Sequence, residues 1–419
     1  MSDKQENGLF YGWVIVAAAS TIVALQWGCN QTYGIFLTEL CDDLGWSKTT
    51  ISGAYSMGFI LGTILGVLAG RLNDKYGPRL MFLGSIVSVS SGLALMSTMN
   101  ATWQLYLFYG FIVNVGLAFA WIPAVSTVAH WFIRKRGIAL GITQGGIGVV
   151  ILFMMPFVQF LINSFGWRSS YVILAGIILV LCLPVSRLIS LNPSDKGLYP
   201  DGVPVTAESE ENASPKLNTS NSTLKQAIKT KQFWMLFLIC AIFTLSIATS
   251  IHLKAYVIGF GISEMTAATI MGLRSGASAV GTIIMSKVSD RIGRKIPLAI
   301  SFFVMALMMF WLMKARQPWE FYLFSIISGF AGGSYALFAA IVADWFGTKF
   351  HGSIYGMVAV GEGIGGAIGP LFAGYIYDTT GSYELAIMIG AAAFLIGTGL
   401  SLVVKAPACK QTKLVVSPQ

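Results

Sequence analysis

Apolar residues run through the chain in long, closely spaced blocks. Twelve of these blocks reach the roughly 20 largely apolar residues that a helix needs to cross the hydrocarbon core of a bilayer. They occupy residues 11–38, 49–70, 79–98, 103–130, 137–163, 168–190, 232–259, 264–288, 296–315, 319–344, 353–377 and 381–405. Only a helix or a closed barrel can satisfy its backbone polar groups in lipid. The pattern therefore predicts an all-α membrane protein with twelve transmembrane helices.

One polar segment, residues 191–231, is much longer than the others and follows the sixth block. It is rich in acidic residues and in Asn, Ser and Thr, and it has no apolar period, so we expect a mobile cytoplasmic linker. This linker divides the chain into an N-terminal six-helix bundle, residues 1–190, and a C-terminal six-helix bundle, residues 232–405. Residues 406–419 are then a cytoplasmic tail.

The basic residues concentrate on one side of the predicted membrane. Of the 27 lysines and arginines, 21 fall in segments on the side of the N-terminus, four on the other side and two within spans. Because cytoplasmic loops are enriched in Lys and Arg, both termini are predicted to be cytoplasmic, in a cell inner (plasma) membrane. The net charge of +9, with only 11% charged residues, follows from this orientation and does not indicate a nucleic-acid partner.

Two motifs occur once in each half of the chain. LNDKYGPR at Leu72–Arg79 returns as VSDRIGRK at Val288–Lys295, 216 residues later. HWFIRKRG at His130–Gly137 returns as DWFGTKFH at Asp344–His351, 214 residues later. A same-sense repeat of six spans is typical of transporters built from two pseudo-symmetric six-helix bundles.

The duplicated loops resemble the G-x-L-x-D-R-x-G-R-R signature of the major facilitator superfamily. Other segments resemble its monocarboxylate porter and oxalate:formate antiporter branch. They are YGW at Tyr11–Trp13, WFIRKRG after the fourth span, NPSDKGLYPDG at Asn192–Gly202, IHLKAY at Ile251–Tyr256 and GGSYALF at Gly332–Phe338. The resemblance implies a secondary transporter of small organic anions that works by rocking alternating access.

Charged residues of the duplicated loops are candidates for a gate at the cytoplasmic end. They are Asp74, Arg79, Arg136, Asp290 and Arg294. An acid at the inner end of a span can pair with the basic residues at 134–136 or with Lys349, and it can cap a neighbouring helix N-terminus. The resemblance supports this gate, and the alternative is that the loops only anchor the topology.

Arg274 is a charge near the middle of the eighth span. Such a charge costs several kcal/mol and commonly faces a cavity, and its planar fork of donors matches a carboxylate. Its counterpart in the first half is Gly58, so the charge belongs to one half only. The alternative is a structural ion pair with Glu362 in the eleventh span. Relatives carry their arginine eight residues before the second signature aspartate, where this chain has Thr282.

His252 and Lys254 lie in the outer third of the seventh span. A histidine titrates near neutral pH, and relatives often have His-Leu-x-x-Tyr here, so His252 is a candidate for substrate binding and for proton coupling. Glu362 is the second proton-coupling candidate. Lys254 either lines the cavity or extends to the membrane interface.

Four further residues are candidate substrate contacts. Trp121 and Tyr335 occupy matching repeat positions, ten residues before Trp131 and Trp345, and could close over a small ligand. Asn114 and Gln144 are uncharged polar residues within spans. Packing, or interhelical hydrogen bonds worth about 1 kcal/mol or less, is the alternative for each.

The sequence therefore predicts a monomeric transporter of small organic anions, foremost monocarboxylates, that couples their movement to protons or to a counter-anion. The first alternative is a carrier of another small metabolite, because the displaced arginine weakens the inference to a carboxylate. The second is a membrane receptor or channel, which would not need the duplicated loops. An enzyme is not expected, because the polar turns contain no Ser-His-Asp set, metal cluster or nucleotide loop, and no cofactor or metal is predicted.

Overall fold

Twelve helices traverse the molecule in the computed structural model, which describes residues 10–132, 135–202, 222–347 and 350–404. They are α1 Tyr11–Leu44, α2 Lys48–Tyr76, α3 Pro78–Met96, α4 Thr102–Trp131, α5 137–165, α6 167–186, α7 Lys231–Ile258, α8 Glu264–Ile292, α9 Lys295–Lys314, α10 Pro318–Phe346, α11 His351–Thr380 and α12 Glu384–Val403. All regular elements in these ranges are helical, as a chain within lipid requires.

The predicted set of twelve spans is confirmed. Ten stretches are long and apolar enough to cross a membrane, and one of them, Gly137–Ser186, contains two spans. They are separated at Gly166, whose φ of 75° and ψ of 165° are open only to glycine. The remaining span, α2, has 29 residues and is long enough to cross the bilayer at 1.5 Å per residue.

Four helices leave regular α geometry within the membrane region. α1 is interrupted at Thr32, α4 is π-helical over Tyr106–Val113, and α7 and α10 contain 3₁₀ turns at Thr249–His252 and Gly333–Ala336. Irregular backbone at membrane depth is tolerated where it is buried in protein or lines a cavity. Three of these irregularities lie at or beside candidate site residues.

The helix packing follows the sequence repeat. Within the halves, α2 packs on α4 as α8 packs on α10, and α3 packs on the α5–α6 pair as α9 packs on α12. Two extensive contacts join the halves, α2 with α11 and α5 with α8, and the repeat relates these two contacts to each other. A smaller contact joins the second part of α1 to the end of α7, so these two helices also meet at the seam between the two pseudo-symmetric bundles.

Among the described residues, the seam between the halves is closed at one end of the molecule and open at the other. We call the end that carries the duplicated loops the basic end, and the other the sealed end. Towards the sealed end, glycines allow backbone contact: a Cβ at Gly374 would lie 2.9 Å from the Lys48 carbonyl oxygen. Towards the basic end, a Cβ at Gly141 of α5 or Gly356 of α11 would meet none of the described atoms within 4 Å. The halves thus diverge towards the basic end.

The predicted linker is described at both of its ends. Short helical turns form at Pro193–Lys196, Pro200–Gly202 and Leu224–Ile228. The Asp201 carboxylate accepts a hydrogen bond from the Lys135 amide at 3.4 Å, which holds the first part of the linker against the N-terminal half. Residues 203–221, on which the prediction of mobility mainly rests, lie outside the described ranges.

Candidate substrate site and gates

Within the described ranges, Arg274 is held by a single neutral side chain. Its Nη1 donates to the Ser250 hydroxyl at 2.6 Å, and its buried Nε has no hydrogen-bond partner in the described part of the chain. No carboxylate of the described residues lies within ion-pair distance of it. A Cβ at Gly329 of α10 would lie 2.2 Å from the Arg274 carbonyl oxygen, so the α10 backbone lies directly against this turn of α8. The guanidinium is therefore positioned but not neutralised.

Glu362, the alternative partner of Arg274, is engaged elsewhere. Its carboxylate accepts a hydrogen bond from the Tyr335 hydroxyl at 2.6 Å. The Tyr335 ring in turn stacks on Phe243 of α7, with centroids 6.0 Å apart. The structure therefore brings together two of the candidate residues, Glu362 and Tyr335, and keeps them out of ion-pair contact with Arg274.

The candidates of the first half take different positions. Trp121 is half-buried and packs edge-on against Trp27, with centroids 6.1 Å apart. Gln144 is exposed and lies four residues before Gly148, whose backbone meets α8, so it projects from the seam face of α5 towards the open end.

Asn114 supports the π-helical stretch of α4. Its side-chain nitrogen donates to the carbonyl oxygens of Tyr109 and Gly110, at 2.9 and 3.3 Å. The side chain also lies against Gly58, the repeat counterpart of Arg274, where a Cβ would come within 2.4 Å of it. Its amide nitrogen is thus used by the backbone of its own helix.

His252 is a connector at the sealed end. It is buried, and its Nε2 lies 3.0 Å from the Pro370 carbonyl oxygen and 3.1 Å from the Ser52 hydroxyl, while its Nδ1 lies 3.1 Å from the Tyr383 hydroxyl. A neutral ring that carries its proton on Nε2 fits this set, because the carbonyl can only accept and the tyrosine can donate to Nδ1. Both ring nitrogens are therefore engaged, and the contact with Ser52 joins the two halves.

Lys254 is fully buried, with 0% of its side chain exposed. Its Nζ donates to the Glu39 carboxylate at 2.9 Å and to the Ile35 carbonyl oxygen at 3.0 Å. Both acceptors belong to α1, in the other half. Lys254 therefore forms an ion pair across the seam, and among the described ion pairs it is the one that joins the halves.

Asp378 of α11 makes a further contact between the halves at the sealed end. Its carboxylate accepts hydrogen bonds from the backbone amides of Lys48 and Thr49, at 3.1 and 2.8 Å, at the N-terminus of α2. The Lys48 ammonium lies 3.3 Å from the ring centroid of Tyr377. An acid at a helix N-terminus meets unpaired amides and the positive end of the helix dipole, so this contact across the seam is favourable.

Where the candidate gate at the basic end is described, its ion pairs stay within the second half. Arg294 pairs with Asp290 four residues before it, contacts Asp344 at 3.2 Å and donates to the Ser289 hydroxyl at 2.7 Å. Arg79 is exposed. The described structure thus gives Asp290 a partner in the loop that directly follows its own helix, rather than in the first half. The side chains of Asp74 and Arg136, and all of Arg134 and Lys349, lie outside the described set.

Three important contacts were not anticipated from the sequence, namely those of Ser250, Glu39 and Asp378. The two acids directly follow predicted spans that end at residues 38 and 377, so the pattern assigned both to loops. The signal that could have identified them is their position, since both follow an apolar block on the predicted outer side. Within the described ranges, no group of three or more His, Cys, Asp or Glu residues could hold a metal ion.

The chain is similar to known transporters along most of its length. The family model described as Major Facilitator Superfamily matches residues 16–285 and 259–414. Human monocarboxylate transporter 2 is 28% identical over 408 residues, which cover 92% of this chain and 85% of that protein. Bovine monocarboxylate transporter 13 is 24% identical over 406 residues, covering 93% and 88%.

A solved structure shows the same fold. It is a bacterial homologue of the human lysosomal transporter Spinster in an inward-facing, unoccupied conformation, with a TM-score of 0.70 and 15% identity over 95% of this chain and 96% of that one. The resemblance seen in the duplicated loops is thereby confirmed, and the protein is a multi-pass membrane transporter and not an enzyme. The chain belongs to the Major Facilitator Superfamily, and its relatives include the monocarboxylate transporters.

Proposed function

We propose that this protein is a secondary active transporter of small organic anions, foremost monocarboxylates. The observation that carries the proposal is Arg274, a guanidinium near mid-membrane with one hydroxyl partner, a buried Nε without a described partner and no described carboxylate in reach. An uncompensated charge at this depth costs several kcal/mol. A substrate carboxylate would offset that cost by accepting two parallel hydrogen bonds from the guanidinium.

The remaining substrate contacts would come from residues on the seam. Gln144 projects from α5 towards the open end and can donate to or accept from a bound anion. Trp121 and Tyr335 are half-buried aromatic residues from opposite halves and would cover the apolar part of a small ligand. The named relatives that are monocarboxylate transporters support this substrate class.

Transport would proceed by rocking of the two halves about this site. With both termini on the cytoplasmic side of the plasma membrane, as we propose, the open basic end faces the cytoplasm. The contacts of Lys254, His252 and Asp378 across the seam would then break as the outer side opens. The charged residues of the basic end would form the opposite closure.

Coupling would use protons or a counter-anion. Glu362 favours protons, because it lies among the helices of the second half and can take up a proton while the Tyr335 hydroxyl remains its partner. Both ring nitrogens of His252 are hydrogen-bonded to protein groups, so His252 can carry a proton for coupling only if the sealed end opens first.

The proposal is tested with purified protein in liposomes. Radiolabelled lactate, pyruvate and oxalate are offered, with and without an inward proton gradient, and liposomes preloaded with the same unlabelled anion test for counterflow. We expect saturable uptake of at least one carboxylate, with counterflow that a channel would not give. The absence of saturable uptake for all of them, from protein that remains folded, would refute the proposed substrate class.

A further inference from the structure

Lys254 is a charged side chain whose described partners both come from the other half of the molecule. Its Nζ contacts the Glu39 carboxylate at 2.9 Å and the Ile35 carbonyl oxygen at 3.0 Å, and none of its surface is exposed. Both partners belong to α1, while Lys254 belongs to α7. When the halves separate at the sealed end, the lysine loses both partners together.

A cation left in this position needs new partners. Removing one member of a buried ion pair typically costs about 3–5 kcal/mol, because the remaining charge is uncompensated. Two other carboxylates at this end already have partners: Asp378 contacts the N-terminus of α2, and Glu264 accepts from the Gln159 side chain at 2.8 Å. When Glu39 is withdrawn, water or an incoming anion can take its place.

Lys254 is also aligned with the candidate substrate site. It lies four residues, about one helical turn, after Ser250, and Ser250 holds Nη1 of Arg274 at 2.6 Å. Arg274 itself belongs to α8, so Ser250 is the point at which α7 contacts the candidate substrate site. Along α7, Lys254 lies on the sealed-end side of this contact.

We propose that Lys254 is an anion-capture residue of the outward-opening state. It exchanges the Glu39 carboxylate for the carboxylate of an incoming organic anion, which then moves inward to Arg274 of α8, beside Ser250. When the sealed end closes again, Glu39 returns to Lys254 and displaces the anion inward. This inference rests on the proposed function as a carrier of organic anions and adds a second cation to its substrate path.

A simple latch is the competing explanation for the same ion pair. In a simple latch, Lys254 and Glu39 serve only to pair with each other. Replacing both with uncharged residues of similar size would then leave anion binding unchanged. A capture residue needs the positive charge itself. The informative variants are therefore Lys254→Met, Glu39→Gln, the double variant that carries both, and Lys254→Arg, which retains a cation.

The measurement is the KM for radiolabelled lactate and oxalate from each side of the membrane. Intact cells present the sealed end and inverted vesicles present the basic end, in the proposed orientation. We expect Lys254→Met and the double variant to raise the KM from the sealed side at least tenfold and to leave the KM from the basic side within twofold of wild type. Lys254→Arg should stay close to wild type, and Glu39→Gln should not raise the KM.

A double variant with wild-type KM on both sides would overturn the inference and leave a latch. An equal rise from both sides would also overturn it, because capture acts at one end only. The proposed function is judged separately by the wild type and by Arg274 variants. If wild type carries none of the carboxylates, the proposed function fails and this inference fails with it.

Discussion

Gly34 of α1 lies directly against the backbone of α7 at the sealed end. A Cβ at this position would lie 2.6 Å from the Ile251 carbonyl oxygen and 2.9 Å from its Cα. Ordinary contact begins at 3.4 Å, so Gly34→Ala requires a separation of roughly 0.8 Å between two backbones that belong to different halves. Because neither atom is on a flexible side chain, the substitution should favour opening of this end.

The size of the effect follows from the cost of overpacking. One extra methyl group in a close-packed contact costs about 1–3 kcal/mol, and this cost is absent once the halves separate. The gain in helix propensity of alanine over glycine, about 1 kcal/mol, is the same in both states and cancels. The equilibrium between the sealed and opened states should therefore shift by about 5–150-fold towards opening.

Ser56 offers a reporter for this shift. It is buried on α2, four residues after the Ser52 that contacts His252, and its hydroxyl has no hydrogen-bond partner in the described structure. In a background without reactive native cysteines, Ser56→Cys should react with a thiol reagent added at the sealed side at a rate proportional to the opened population. Gly34→Ala should raise that rate by the factor given above.

The matched control is Gly399→Ala in α12. Gly399 is exposed, and a Cβ there would meet no described atom within 4 Å, so it changes helix propensity without straining a contact. With Gly399→Ala added, the cysteine of Ser56→Cys should be labelled at a rate within twofold of that in the parent. If Gly34→Ala behaves like this control, the contact between α1 and α7 does not hold the sealed end, and the reasoning is wrong.

Two further predictions concern other parts of the seam and the coupling. Gly141→Leu adds a side chain that points into open space in this state. It lies on the face of α5 that must approach α8 when the basic end closes, so uptake should fall strongly while thermal stability is kept. Normal uptake would contradict this prediction. Glu362→Gln keeps an acceptor for the Tyr335 hydroxyl but cannot carry a proton, so proton-driven uptake should be lost and anion exchange retained. Proton-driven uptake that survives the substitution would show that coupling uses another residue.

The helices could be predicted from the sequence because each span is fixed locally. An apolar block of about 20 residues must form a helix in lipid regardless of its neighbours. The division at Gly166 was also predictable, since the two blocks were separated at residues 163 and 168. The irregular turn at Thr249–His252 was not, because composition carries little information on where a buried helix changes geometry.

The partners of the charged residues could not be obtained in this way. Arg274 was assigned two alternatives, substrate or Glu362, and only the packing of α7 against α8 reveals Ser250 as its neighbour. Lys254 and Glu39 are 215 residues apart, and their contact exists only where the two halves meet. Such pairs depend on how helices are arranged around a seam, which the apolar pattern of each helix does not specify.

The central claim is that Arg274 binds the anion, and Arg274→Met tests it most directly. Methionine keeps an unbranched stem and removes the fork of donors, and Arg187→Met, at an exposed position, is the control. For the carboxylate that wild type carries best, we measure uptake into liposomes and the thermal stabilisation that the anion gives the purified protein. Loss of a charged hydrogen-bonding partner worth about 2 kcal/mol or more should lower kcat/KM at least about thirtyfold and abolish the stabilisation. Uptake and stabilisation equal to those of the control, in folded Arg274→Met protein, would contradict the account.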